Sequence, residues 1–345
     1  MRITLVLVIL MIISPWSYSQ TKSTKKNKAA VSREIPVRGM GMVFRPEIYN
    51  TIPNFSTSVF IEATRRKLAL RNTNFSVQAP PPGDQGSIGS CVGWAVGYTF
   101  LSSYLQRNTV GTIIWNSTNM RSPGFVYHFA KINNDCAKSG CYMNVGLECI
   151  RDNGSCNWAL WPGNGDCNKT PLANEAVDAC GVSSPWKRGK EFTCPTGDED
   201  GGNRDQQRKN SLASGKDGPE LWQRMDITDV NAMKGVLFQY KWPIIVAFNV
   251  TNSFQETWWN GGYWITNNNS NLGGHAVCIV GYDDNKTFNG KRGMFKCQNS
   301  WGLGFGDHGY FWVSYDLVRK KCFREVYLWT RNESITPPCT VKCPM

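Results

Sequence analysis

The stretch Asp84-Gln85-Gly86-Ser87-Ile88-Gly89-Ser90-Cys91-Val92-Gly93-Trp94-Ala95 decides how this chain is read. A turn of glycine and serine ends in one cysteine, and from Cys91 to Gln106 runs an apolar segment with the character of a buried helix. A cysteine in the first turn of a helix lies among unpaired backbone N–H groups and at the positive end of the helix dipole. Both favour the thiolate, which is the nucleophilic form. Gln85 stands six residues upstream, and its side-chain amide is a candidate donor to an oxyanion formed beside the sulfur. Taken alone, the stretch also fits a turn leading into a core helix that carries an inert buried thiol.

The second half of the chain supplies partners for a nucleophile. Of three histidines, His275 opens an apolar strand after Gly273-Gly274, whose missing side chains leave the ring accessible. An imidazole there can take the thiol proton and later give it to a leaving amine. Asn299-Ser300-Trp301-Gly302 follows, and a side-chain amide carbonyl can fix the orientation and tautomer of an imidazole. His128, in a helical run from Phe125 to Ile132, reads as a packed helix residue, and His308 as part of a turn.

The order Cys, His, Asn, with glutamine six residues before the cysteine, resembles the papain-like cysteine peptidases. The Val-Gly-Trp-Ala after Cys91 resembles the bacterial branch of that family. Asn299-Ser300-Trp301-Gly302, the aromatic-Gly at Phe305-Gly306 and Gly309-Tyr310 fall in step with the family's asparagine motif. The resemblance implies an α+β, two-lobed fold, with a helix-rich N-terminal lobe, an antiparallel β lobe and the active-site cleft between them. It implies that Cys91 attacks a peptide carbonyl to form a thioester, that Gln85 and the Cys91 N–H hold the oxyanion, and that His275 and Asn299 complete the triad. The resting pair would be thiolate and imidazolium. Trp301 would shield the His–Asn contact, and Gly140, Gly274 and Trp301 are the expected substrate-binding positions. Neither metal nor organic cofactor is implied, and the partner is a peptide or protein substrate met by a monomer.

Departures from the pattern are specific. Val92-Gly93 intervene before Trp94, Ile88 replaces a family cysteine, and Asn269 stands where the usual partner of Cys322 would be. Cys141 stands at the second glycine of the family's Gly-Gly pair. His275 lies 184 residues beyond Cys91 and Asn299 lies 208 beyond it, against about 130–150 in papain-like enzymes. Residues 154–219, rich in Gly, Asn, Asp, Pro and Cys, read as a long loop insertion that accounts for most of the excess.

Around this domain, expected at 79–332, the 345-residue chain divides by composition. Arg2, the apolar run Ile3 to Ile13 and Ser17-Tyr18-Ser19 read as a signal peptide over residues 1–19, hence export to an extracellular or periplasmic space. The eleven-residue run is too short to span a bilayer, and no stable membrane insertion is expected. Residues 20–78 form a basic arm in the place of a prosegment, with Lys22 to Lys28 solvated and a helix from Val59 to Arg71. The arm holds +8 of the net +12, which argues against a nucleic-acid surface on the main body. Export makes the thirteen cysteines readable: with Cys91 set aside, twelve suggest a disulfide framework, although Cys278 and Cys297 sit in strand-like runs suited to core thiols. The 136–194 cysteines lack a Cys-x2-Cys pair or a histidine for zinc, and the acidic loop at Asp198–Asp205 lacks the order of an EF-hand. Residues 333–345, with Cys339 and Cys343, form a tail. The rival functions are a catalytically silent binding or adhesion module on the same fold, and another cysteine acyl-transfer enzyme, a transpeptidase or amidase.

Overall fold

Two long strands, β5 (Ile244–Val250) and β7 (Gly273–Phe288), carry the architecture. The computed structural model describes residues 38–55, 73–132, 139–152, 154–155, 157–158 and 221–330, which fall within a unit spanning Ile35–Met345. β5 and the first part of β7, to Tyr282, read as nearly continuous apolar runs because both of their faces are buried. Ile245, Ala247, Ala276, Cys278 and Val280 point into a core shared with helices. Ile244, Val246, Phe248, Val250, Val277 and Ile279 point into a second core. The alternation is the two-residue period of a strand.

The helical side is built on Cys91–Leu105 (α2), which begins as α-helix at Cys91–Gly93, widens into a π-helix over Trp94–Leu101 and closes as α-helix over Ser102–Leu105. It packs closely on α3 (Pro123–Ala130), because a Cβ on Gly93 would overlap the Pro123 carbonyl and one on Gly97 would lie 2.7 Å from a Val126 methyl. A further helix, α4 (Met143–Asp152), completes this side. Cys278 Sγ donates to the Ala95 carbonyl at 3.2 Å and so joins β7 directly to α2.

The sheet runs β4 (Leu221–Arg224), β10 (Glu325–Thr330), β5, β7, β8 (Lys291–Gln298), β9 (Tyr310–Ser314), β6 (Tyr263–Trp264). It is antiparallel except where β6 meets β9. The second core lies under α5 (Val230–Tyr240), started by the Asp229 side chain accepting from the Ala232 N–H. This is the expected α+β arrangement. The strands β4 and β2 (Asn74–Ser76) and the helix α7 (Tyr315–Arg319) were not expected from the sequence.

Two expectations change. Part of the arm is sheet: β1 (Met42–Val43) pairs with β3 (Cys141–Tyr142) and with Gly274 of β7, and β2 also pairs with β7. Cys141 and Cys322 are unpaired buried thiols, not members of a disulfide framework, and Cys278 and Cys297 are core thiols, as their strand-like runs suggest. Cys278 and Cys297 lie on neighbouring strands but face opposite cores and cannot meet. The remaining expected disulfide cysteines other than Cys149, the 59–71 helix, the 154–219 insertion for all but its first residues, the signal peptide and the tail lie outside the described residues. Among the described residues no helix is long and apolar enough to cross a membrane.

Candidate active site

Asn299 follows β8 and His275 stands near the start of β7, so the neighbouring strands bring them together. His275 Nε2 lies 2.7 Å from Asn299 Oδ1, while Nδ1 has no partner and is the nitrogen left to exchange a proton. Trp301 stacks on the imidazole with centroids 4.7 Å apart and is itself buried against Phe254, Trp258 and Phe305. Its place is that of a water-excluding cover on the His–Asn contact.

Cys91 is buried at the start of α2, with the backbone N–H groups of Gly41, Ala276, Val92 and Met42 turned to its sulfur. The Ala276 contact sets Cys91 beside the residue that follows His275. Gln85 is fully buried and held on both ends. Its Oε1 accepts from the Ser300 hydroxyl at 2.6 Å, and its Nε2 donates to the carbonyls of Ile88 at 2.7 Å and Gly39 at 2.9 Å. Acceptors on one side and a hydroxyl on the other fix which way the amide points. Ser300, which received no role from the sequence, is thus the residue that orients Gln85.

The second of these carbonyls, that of Gly39, identifies what fills the cleft. Residues 38–43 run through it as an extended strap. Gly39 N–H donates to the Gly86 carbonyl at 3.0 Å, and the Gly41 carbonyl accepts from Cys141 N–H at 2.7 Å. Cβ atoms on Gly39 and Gly41 would overlap the carbonyls of Ile88 and Gly89, so glycine is required for this approach. The expected substrate positions Gly140 and Gly274 both touch the strap: a Cβ on Gly140 would come within 2.6 Å of the Gly41 carbonyl, and one on Gly274 would overlap that of Met42. His308 sits exposed in a turn with a left-handed backbone, φ 53°.

The strap reverses the expected electrostatics. Helix dipole and N–H groups favour a thiolate, yet burial wins and raises the Cys91 thiol above its ordinary value. Burial also pushes His275 down to about 4, against the smaller upward pull of Asn299. With the cleft filled, burial disfavours charge on both groups and so works against the expected ion pair. Among the described residues no cluster of His, Cys, Asp or Glu suits a metal ion.

Residues 173–327 match the family model described as papain family cysteine protease, a span that holds His275 and Asn299 and leaves out Cys91. A curated relative, an uncharacterized peptidase C1-like protein of Acanthamoeba polyphaga mimivirus, is 27% identical over 241 residues. The match covers 68% of this chain and 64% of that protein. These matches make the chain similar to the papain-like cysteine peptidases. Its papain-like fold is seen again in xylellain, a cysteine protease from Xylella fastidiosa, at a TM-score of 0.57 and 20% identity over 87% of this chain and 99% of that one. A procathepsin B from Trypanosoma congolense gives a TM-score of 0.52 at 13% identity, covering 85% and 86% of the two chains.

Proposed function

We propose that the chain is an exported cysteine peptidase that hydrolyses peptide bonds and is held closed by its own residues 38–43. The observation that carries the reading is the His275–Asn299 contact of 2.7 Å, with Nδ1 free, beside Cys91 at the head of α2. With the strap withdrawn, water and substrate reach the sulfur, and the desolvation that disfavours charge on both groups is relieved. The Cys91 thiolate attacks the substrate carbonyl. Gln85 Nε2, oriented by Ser300, and the Cys91 N–H take the oxyanion. Protonated His275 gives its proton to the departing amine, and water, deprotonated by the same ring, releases the acid from the thioester.

The strap itself is a poor substrate. β1 runs parallel to β3, and the groups it turns to the sulfur are N–H donors, not a carbonyl carbon. The Gly39 carbonyl oxygen occupies the Gln85 donor that an oxyanion would need. Export rests on the composition of residues 1–19, and N-terminal sequencing of the secreted form checks it. The central test is mass-spectrometric profiling of peptide-library cleavage by the full chain and by Cys91→Ala after strap release. Cleavage by the first alone is expected; no cleavage by either leaves the fold as a binding module.

A further inference from the structure

At the N-terminal end of the strap, Arg38 enters a small site of definite chemistry. Its Nη1 lies 3.0 Å from Asp84 Oδ1, with the two side chains only 19% and 12% exposed, and its guanidinium carbon lies 5.6 Å from the centroid of Trp258. The carboxylate is fixed in place: Oδ1 also accepts from the Gly86 N–H at 2.8 Å, and a side chain on Gly302 would come within 2.9 Å of Oδ2. The Trp258 ring lies nearly parallel to Trp301, at 5.9 Å and 8°, and Trp301 covers His275. Asp84 bridges to Trp301 through its backbone and directly precedes Gln85. A carboxylate facing an aromatic ring is a combination that selects a cationic side chain.

The site's place along the cleft gives it a direction. Following the strap, Arg38 meets Asp84, Gly39 meets Gln85, Gly41 meets the sulfur, and Met42 meets Cys141 and Gly274. Asp84 and Trp258 therefore lie beyond the oxyanion donor, on the face packed through Trp301 against His275. The leaving amine must lie there to receive its proton. Arg38 fills the site without using it fully, since its Nε is buried with no partner.

We infer that Asp84 and Trp258 form a leaving-side subsite that takes an arginine or lysine of the substrate, with Arg38 as its resident occupant. This rests on the peptidase reading above. Arg38→Ala vacates the subsite in the full chain, and Gly41→Val in the same chain takes the strap out of the cleft. Its kcat/KM is measured on peptides varied at the two residues after the cleaved bond. Arginine and lysine should be preferred over glutamine by about tenfold, carried mainly by KM, as for one charge-assisted contact. Asp84→Asn in the same background should bring the ratio to within about threefold of unity, and Asp84→Lys should turn the preference toward glutamate. Equal cleavage of arginine and glutamine peptides, or a preference that survives Asp84→Asn, overturns the subsite. Failure to cleave any peptide would count against the peptidase reading alone. The subsite is read separately by protection of Cys91 from iodoacetamide: argininamide should protect the opened Arg38→Ala, Gly41→Val chain better than leucinamide, and only with Asp84 present. Equal protection by the two amides also overturns it.

Discussion

Ser300 does at the residue scale what no motif announces. Its hydroxyl, 215 positions from Gln85 in the chain, holds the amide oxygen and so turns the nitrogen to the cleft. Gln85→Ala should fold and lose roughly 100- to 1000-fold in acylation, as for deletion of one oxyanion donor. Ser300→Ala should lose less, in the same single-turnover step, because the amide remains but can rotate. An unchanged acylation rate in Gln85→Ala removes it from the mechanism. The types and order of Gln85, Cys91, His275 and Asn299 were legible because their chemistry is distinctive wherever it stands. Ser300 was not, since a serine gains its meaning only from the side chain it meets.

At the scale of elements, the same contrast separates the strands from the strap. Apolar runs identified β5, β7, β8, β9 and α5 to within a few residues apart from β7's extension to Phe288, because their burial is repeated at every turn or alternate position. The strap, Arg38-Gly39-Met40-Gly41-Met42-Val43, has no period of its own, and its conformation comes from backbone partners on Gly86, Cys141 and Gly274. Its glycines give the means to remove it. A side chain on Gly41 meets the Gly89 backbone, which has no room to give. In Gly41→Val the strap should leave the cleft, and alkylation of Cys91 by a neutral haloacetamide should rise by an order of magnitude or more and stay fast below pH 6, since the opened pair can ionise. The wild-type chain, with the thiol raised by burial, should react slowly across pH 5 to 8. Equal rates in the two chains would show that the strap does not control the sulfur.

Two buried titrations act on the molecule as a whole, in opposite senses. Glu325, on β10, is 3% exposed where the chain just after the strap meets the sheet. Its carboxyl accepts from the Tyr327 hydroxyl at 2.7 Å and from the Arg45 backbone N–H, while the Tyr49 hydroxyl accepts from the Val326 N–H of the same strand. Burial pushes Glu325 from 4.5 up to about 7, so the folded chain holds a proton that the unfolded chain releases. That contribution is full below about pH 4.5 and is lost as pH rises through about 7. His275, pushed from 6.5 down to about 4, contributes above about pH 6.5 and loses that contribution as pH falls through about 4. Each is worth at most about 3 kcal/mol, several degrees in Tm for a chain of this size. Between about pH 4.5 and 6.5 the two slopes oppose each other, and the wild-type Tm should change little; from about 6.5 to 8 only Glu325 still titrates, and Tm should fall. Glu325→Gln keeps the shape and the neutral charge of the protonated acid. It should abolish the fall above pH 6.5 and expose a loss of Tm toward acid from His275 alone. Calorimetric melts of both chains across this range decide it: the same Tm profile in both would show that Glu325 holds no proton in the fold.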